Sequence, residues 1–147
     1  MRIVVAIPCH ETEPAVAATV RSLAGSARGL IAAGHDVRIV VCVNGADPAR
    51  SPAAAALRDL DAGVALSVVE LGEPSKPAAW TRLRAEPADI TVFADADIEV
   101  EPGALPALVA ALADPSVRAA AGGQRHVVPR TAAGRVAAVP DLRYSGG

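Results

Sequence analysis

Four apolar runs rich in valine and isoleucine alternate with helix-like segments along this chain. They lie at residues 2–8 (RIVVAIP), 37–43 (VRIVVCV), 64–71 (VALSVVEL) and 90–94 (ITVFA). Strands that are apolar on both faces are typical of a parallel sheet that is covered by helices on each side. The pattern therefore predicts an α/β protein with three layers, α/β/α, built around a mainly parallel sheet.

Helix signals fill the gaps between these runs. Proline near the first turn and glycine at the end mark the first two helices. The helices are predicted between Pro14 and Gly34 and over 52–62, 77–86 and 103–113, and a fifth strand is predicted at 117–123 (VRAAAGG). We interpret residues 1–123 as one domain and residues 124–147, which are punctuated by proline and glycine, as a weakly structured tail.

Composition narrows the classes of function. The 147 residues carry a formal net charge of -2 and scattered basic side chains, which is not the basic surface that nucleic-acid binding requires. The sequence contains no membrane-spanning run and no cleavable signal pattern at its start. Two cysteines without a CxxC pair suit a reducing compartment. We expect no nucleic-acid partner, no transmembrane segment and a cytoplasmic location, which leaves peripheral docking to a membrane open.

Two carboxylates one residue apart follow the fourth apolar run, in the stretch ITVFADADIEVEPGAL. Ligands of parallel sheets bind outside the carboxyl ends of the strands, where Asp95 and Asp97 are expected to lie. Such a pair can share a hard cation such as Mg²⁺ or Mn²⁺, which would remove the repulsion between the carboxylates and bind a diphosphate. The alternative is a solvated acid pair next to a helix, because short acidic motifs also arise by chance.

The usual nucleotide-binding loops are missing. The segment IPCHETEP after the first run is not a GxGxxG loop, and the chain contains no GxxxxGK[ST] motif. Dinucleotide and P-loop classes therefore lose their main support. A nucleotidyltransferase, a lesser alternative, would need a glycine-rich first loop that ends in a basic residue, and PCHETEP has none.

Four segments together resemble the nucleotide-binding half of family-2 glycosyltransferases, which are inverting enzymes of the type-A glycosyltransferase fold. They are VVAIPCHETEPAVAATVRSL, VRIVVCVNGADP, SKPAAWTRL and ADITVFADADIEVEPGALPALVAAL, in the order and spacing of that family. The resemblance covers residues 3–123. It implies a truncated nucleotide-diphospho-sugar transferase fold, in which residues 1–123 bind a nucleotide-sugar and residues 124–147 start an acceptor region.

The resemblance also implies roles for individual residues. Pro8 and Glu11 would contact the nucleobase and ribose, and Asn44 takes the place of an acid that contacts the base. Lys76 would lie near the diphosphate, Asp95 near the ribose or a metal-bound water, and Asp97 on the metal. The implied cofactor is a divalent cation, Mg²⁺ or Mn²⁺. The implied partners are a nucleoside-diphosphate sugar and an acceptor of unknown identity.

Each of these roles has a simpler alternative. Glu11 also suits the positive end of the first helix, Lys76 suits an ordinary surface position, and the Asn44–Gly45 pair suits a turn. His10 is interpreted as a loop residue and Trp80 as a packing residue.

The catalytic base is not identifiable from the sequence. Asp141 is the only carboxylate after Val117, and we do not assign the role to it. Two functional hypotheses follow. One is an inverting transferase that passes a sugar to an acceptor hydroxyl, and the other is an inactive or fragmentary module that only binds a nucleotide-sugar.

Overall fold

The structure is a computed structural model that describes residues 1–123. Its strands are β1 (Arg2–His10), β2 (Asp36–Asn44), β3 (Ala65–Leu71) and β4 (Ile90–Phe93). Its helices are α1 (Val16–Ala32), α2 (Pro52–Arg58), α3 (Lys76–Arg84) and α4 (Ala104–Ala111), with one 3₁₀ turn at Pro48–Arg50. Strands and helices alternate from β1 to α4, as the sequence predicts.

The described strands form one parallel sheet in the order β3-β2-β1-β4. Val5 of β1 is in register with Ile39 of β2 on one side and with Val92 of β4 on the other. β1 therefore lies between strands that follow it along the chain, and both of its faces are buried. This arrangement confirms the prediction of a mainly parallel sheet.

Alternate side chains of each strand point to opposite faces of the sheet and form two separate apolar clusters. Ile3, Val5, Ile7 and Cys9 of β1 pack with buried side chains of α1, α2 and α4. The intervening residues Val4 and Ala6 pack with Ala79 and Leu83 of α3. Three helices thus cover one face of the sheet and one helix covers the other, which confirms the predicted α/β/α layers.

Local sequence sets the start of α2 and α3 in the same way. The Ser51 hydroxyl accepts a hydrogen bond of 3.1 Å from the Ala54 amide, and the Ser75 hydroxyl accepts one of 3.2 Å from the Ala78 amide. Each serine is followed within two residues by a proline, which suits the first turn of a helix because it has no amide hydrogen to satisfy.

Two predictions about these elements differ from the structure. Residues 117–123 do not form a strand, so the prediction of a fifth strand there is wrong. The alanines and glycines of this segment are poor strand formers, and their small side chains offer little surface to pack against a neighbouring strand. The second helix ends at Arg58 and not at residue 62, because Asp61 accepts a hydrogen bond of 2.9 Å from the Gly63 amide and forms a turn.

The predicted tail, residues 124–147, and Asp141 within it lie outside the described residues. No helix in residues 1–123 combines the length and apolar character needed to cross a membrane.

Candidate functional site

A cleft opens at the carboxyl ends of the strands, where β1 and β4 lie side by side. The chain leaves β1 towards β2 and β3 on one side and returns to β4 on the other side of β1. Connections diverge at such a point and leave a crevice, which is where open parallel sheets bind ligands. The cleft has a volume of about 470 Å³ and is lined by Pro8, His10, Glu13, Asn44, Pro74, Lys76, Asp95, Ala96 and Asp97.

The alternation of strand side chains explains why polar residues from separate strands meet here. Pro8 and His10 continue the β1 positions whose earlier members pack against α3, and Asn44 does the same for β2. Phe93 packs with the α3 cluster, and Asp95 follows it by two residues. The α3 side of the sheet therefore changes from apolar to polar at the strand ends, and this change forms the cleft.

Lys76 and Asp95 form an ion pair across the cleft. The Lys76 Nζ lies 2.8 Å from the Asp95 Oδ1, and the two side chains are 61% and 48% exposed. Lys76 is the first residue of α3, so the Ser75 cap fixes where its side chain begins. It is also the only lysine in the chain, since every other member of the 14 Lys and Arg residues is arginine.

Asn44 is 4% exposed, and its orientation is fixed by a buried hydrogen bond. The Asn44 Nδ2 donates to the Cys9 carbonyl oxygen at 2.9 Å, across the β1–β2 boundary. This bond uses one of the two N–H donors of the amide. The acceptor, Oδ1, takes no part in it and can meet a donor on a ligand.

The loop with the two aspartates is attached to α1 on the opposite side of the sheet. The Thr19 hydroxyl donates to the Ala96 carbonyl oxygen at 2.8 Å, directly between Asp95 and Asp97. Further along, the Val100 amide donates to the Ser22 hydroxyl at 3.1 Å, and the Ser26 hydroxyl donates to the Pro102 carbonyl oxygen at 3.0 Å. These bonds hold the backbone of the loop while both carboxylates stay exposed.

Glu11 is the one predicted site residue that does not line the cleft. Its carboxylate turns towards the loop after β2, where Oε2 accepts a hydrogen bond of 2.9 Å from the Asp47 amide. The side chain lies over Gly45 so closely that a Cβ there would overlap the Glu11 carboxyl group. The structure therefore brings Pro8, Asn44, Lys76, Asp95 and Asp97 together and places Glu11 beside them.

His10 and Glu13 line the cleft although the sequence analysis gave them no role there. The interpretation of His10 as a loop residue is wrong, because it is the last residue of β1. The His10 Nδ1 lies 2.9 Å from the Thr12 hydroxyl and accepts from the Thr12 amide at 3.3 Å. Glu13 accepts a hydrogen bond of 2.9 Å from the Ala15 amide, just before α1. The signal that could have found His10 is its strand position, two residues after Pro8.

The family model described as glycosyltransferase like family 2 matches residues 1–145. The chain belongs to this family. Comparison with curated proteins and with solved structures gave no match. The fold agrees with the family assignment, because the four described strands and four helices match a truncated type-A glycosyltransferase fold. The family implies a nucleotide-sugar donor and an acceptor.

For a family-2 glycosyltransferase-like protein, the fit of the cleft to a divalent cation depends on Asp95 and Asp97. Residues 1–123 contain no group of three or more His, Cys, Asp or Glu side chains arranged to hold a metal ion. Mg²⁺ usually binds through one or two carboxylates and keeps water and substrate phosphates as its other ligands. Two exposed carboxylates in an open cleft fit that mode, and they do not fit a cage made of protein ligands alone.

Neither cysteine suits a nucleophilic role in this family-2 site. Burial, followed by the charge of Glu13 and then Cys42, raises the pKa of the Cys9 thiol to about 12. Burial also raises the pKa of the Cys42 thiol, although the Arg82 guanidinium opposes the shift. A thiol attacks as its thiolate, so both cysteines are inert near neutral pH.

Trp80, interpreted as a packing residue, makes one aromatic contact at the surface of the fold, where it is 37% exposed. Its ring stacks on Phe93 with centroids 4.3 Å apart and an interplanar angle of 11°. The stack joins α3 to β4 just before Asp95. Trp80 therefore supports the position of the cleft and does not line it.

Proposed function

We propose that this chain is an inverting glycosyltransferase domain that uses a nucleoside-diphosphate sugar and a divalent cation, Mg²⁺ or Mn²⁺. The observation that carries the proposal is that Lys76, Asp95 and Asp97 line one cleft at the switch point of the sheet. The family match supports it independently, because the family implies a nucleotide-sugar donor.

The charges of the cleft suit a diphosphate leaving group. A diphosphate leaves more readily when positive charge lies next to the oxygens on which negative charge develops. Lys76 provides one positive charge, and its flexible ammonium is a common phosphate partner. A cation held by Asp95 and Asp97 would neutralise further charge on the same diphosphate when bound.

The other residues of the cleft suit the nucleoside. Pro8 is buried and gives the floor of the cleft an apolar surface, and the Asn44 Oδ1 offers a hydrogen-bond acceptor. An acceptor at this place selects a base edge that carries an N–H group. Glu11 lies next to the loop that follows β2. It is proposed to contact the ribose or base after a change of its side-chain rotamer.

In the proposed reaction, the acceptor hydroxyl attacks the anomeric carbon from the face opposite the diphosphate. The new carbon–oxygen bond forms as the bond to the diphosphate breaks, so the configuration at that carbon inverts. The hydroxyl proton passes to a base, and we assign that role to none of residues 1–123. Lys76 holds the departing diphosphate.

Titration calorimetry of the full chain with UDP and GDP tests the proposal, with Mn²⁺ present and then with EDTA in its place. We expect nucleotide binding that requires the cation. A parallel assay with nucleotide-sugars should detect release of nucleoside diphosphate when an acceptor is supplied.

The outcomes separate the two functional hypotheses. Cation-dependent binding without turnover would favour the module that only binds a nucleotide-sugar. Absence of any nucleotide binding with Mn²⁺ would exclude both. Tighter binding of nucleoside triphosphates than of diphosphate sugars would favour a nucleotidyltransferase.

A further inference from the structure

Lys76 forms an ion pair with Asp95, one of the two carboxylates on which the proposed cation site depends. Its Nζ lies 2.8 Å from the Asp95 Oδ1, which is the length of a charge-assisted hydrogen bond. Asp97 is exposed and has no ion-pair partner among the described residues. In the ligand-free protein the two aspartates are therefore not equivalent, because Asp95 is neutralised and Asp97 is not.

A divalent cation and the Lys76 ammonium compete for the charge of the Asp95 carboxylate, whose Oδ1 the ammonium already holds. They also repel each other, since both carry positive charge and Asp95 brings them within a few ångströms. Binding of a cation at Asp95 thus drives the Lys76 ammonium away from this carboxylate. Both side chains are about half exposed, so the move needs no rearrangement of the core.

We propose that Lys76 is a positioning residue that exchanges partners, from Asp95 in the ligand-free protein to the diphosphate when a divalent cation takes Asp95. The exchange makes the cation and the nucleotide bind cooperatively, because the Lys76–Asp95 pair is broken once for both ligands. By linkage, each ligand then raises the affinity of the other by the same factor. The inference rests on the proposed function.

The identity of the residue supports an exchange. Lysine is a compact charge on a flexible stem, whereas the planar guanidinium of arginine holds a carboxylate through two parallel hydrogen bonds. Arginine provides the other 13 of the 14 Lys and Arg side chains, so the ion pair with Asp95 uses the only side chain of the more easily released type.

Cation affinity measured without nucleotide is the most direct test. Free Mn²⁺ is counted by its electron paramagnetic resonance signal in wild-type protein, Lys76→Met and Lys76→Arg. We expect Lys76→Met to bind Mn²⁺ about three- to tenfold more tightly, because the competing charge is gone. Lys76→Arg should bind Mn²⁺ no more tightly than wild type. Arg84→Met is the matched control, since it removes a positively charged side chain from the other end of α3.

UDP binding in the presence of Mn²⁺ should change in the opposite direction. Lys76→Met should weaken it about tenfold, and Lys76→Arg should largely restore it, since both cations bind phosphate. A structural role of Lys76 would move both affinities the same way or move neither. Lys76→Met that leaves the affinity for Mn²⁺ alone unchanged or lower would overturn the inference.

The same data separate this inference from the proposed function. If Mn²⁺-dependent UDP binding is present but Lys76→Met does not tighten Mn²⁺ binding, only the exchange fails. If neither wild type nor Lys76→Met binds Mn²⁺, both the exchange and the proposed cation site fail.

The single lysine also gives a direct spectroscopic view of the exchange. Reductive methylation with ¹³C-formaldehyde labels only the Lys76 amine and the N-terminal amine, and it keeps their charge. We expect Mg²⁺ to shift the Lys76 methyl signal towards its position in Asp95→Asn, and UDP to shift it again. A Lys76 signal that does not respond to Mg²⁺ at saturating concentration would contradict the exchange.

Discussion

The two faces of the sheet are covered differently, and the difference places the site. Three helices cover the first face, and its buried apolar positions continue past β4 to Ala94 and Ala96. One helix covers the second face, where the buried cluster contains only Val4, Ala6, Val40, Cys42, Ala79 and Leu83. The covered face supplies most of the core, while the less covered face leaves the strand ends free for polar groups.

The covered face also determines the geometry of the open one. Thr19, Ser22 and Ser26 of α1 all bond to the segment that follows Asp95, so the loop is fixed from behind. Residues with buried polar partners have few alternative conformations, which favours a preorganised site. The lesson is that residues remote from the cleft hold the groups that line it.

The largest expected effect comes from matched cavities on the two faces. Leu23 of α1 and Leu83 of α3 are each at most 1% exposed, but they belong to the larger and the smaller cluster respectively. We expect Leu23→Ala to cost about 3–5 kcal/mol and Leu83→Ala about 2–3 kcal/mol, because a smaller cluster collapses more easily around a cavity. Urea unfolding of both variants measures the difference. Equal costs would show that the faces contribute alike.

Thr19→Val tests the link between the faces. The substitution keeps the shape of the side chain but removes the donor to the Ala96 carbonyl oxygen, which costs about 1–3 kcal/mol if the oxygen stays buried and unpaired. We also expect a few-fold loss of Mn²⁺ affinity, because the aspartate loop is held less firmly. Thr19→Ser, which keeps the hydroxyl, is the control. If the Thr19→Val protein is destabilised but binds Mn²⁺ with normal affinity, the hydrogen bond from α1 does not contribute to cation binding.

Asp97→Asn should leave stability almost unchanged and weaken Mn²⁺-dependent nucleotide binding more than tenfold, since a carboxylate ligand is lost. Tenfold corresponds to about 1.4 kcal/mol. Asp59→Asn is the control, because Asp59 is an exposed aspartate at the end of α2, outside the cleft. Calorimetric titration measures the Mn²⁺-dependent nucleotide affinity of both variants. Equal affinities would exclude Asp97 from the site.

The sequence predicts the fold well because the features that decide it are local. Runs of β-branched residues mark the four strands, and a proline in its first turn marks the start of α2. The segment 117–123 shows where local patterns fail, since apolar character from alanine alone does not distinguish a strand from irregular structure.

The site is predicted less completely, for reasons that concern tertiary contacts. Asn44, Asp95 and Asp97 are found because they follow strands whose carboxyl ends must meet at one edge. The direction of Glu11 depends on the bare backbone of Gly45 and on the Asp47 amide, which lie far along the chain. The Lys76–Asp95 pair joins residues 19 positions apart, and no local rule gives its length of 2.8 Å.

Gly45→Ala tests the position of Glu11. A Cβ would displace the Glu11 carboxyl group and break its hydrogen bond with the Asp47 amide, at a cost of about 1 kcal/mol. Combined with Glu11→Ala, the substitution should cost almost nothing further, since the overlapping group is gone. Strictly additive costs in this double-mutant cycle, measured by unfolding, would show that Glu11 does not rest on Gly45.

A pH dependence of stability again compares the two faces, through Cys9 on the covered side and Cys42 on the other. The native pKa of Cys9 is raised to about 12, so above the ordinary thiol pKa the unfolded chain loses a proton that the native protein keeps. Stability is therefore unaffected at low pH and falls as the pH rises towards the native value, by at most about 1.4 kcal/mol per pH unit for one group.

Unfolding of wild type, Cys9→Ala and Cys42→Ala between about pH 8 and 10, on either side of the usual thiol range, measures the slopes. We expect Cys9→Ala to flatten the slope more than Cys42→Ala, because Arg82 opposes the shift at Cys42. The opposite order would mean that the single helix α3 shields its face from solvent better than the three helices of the other side.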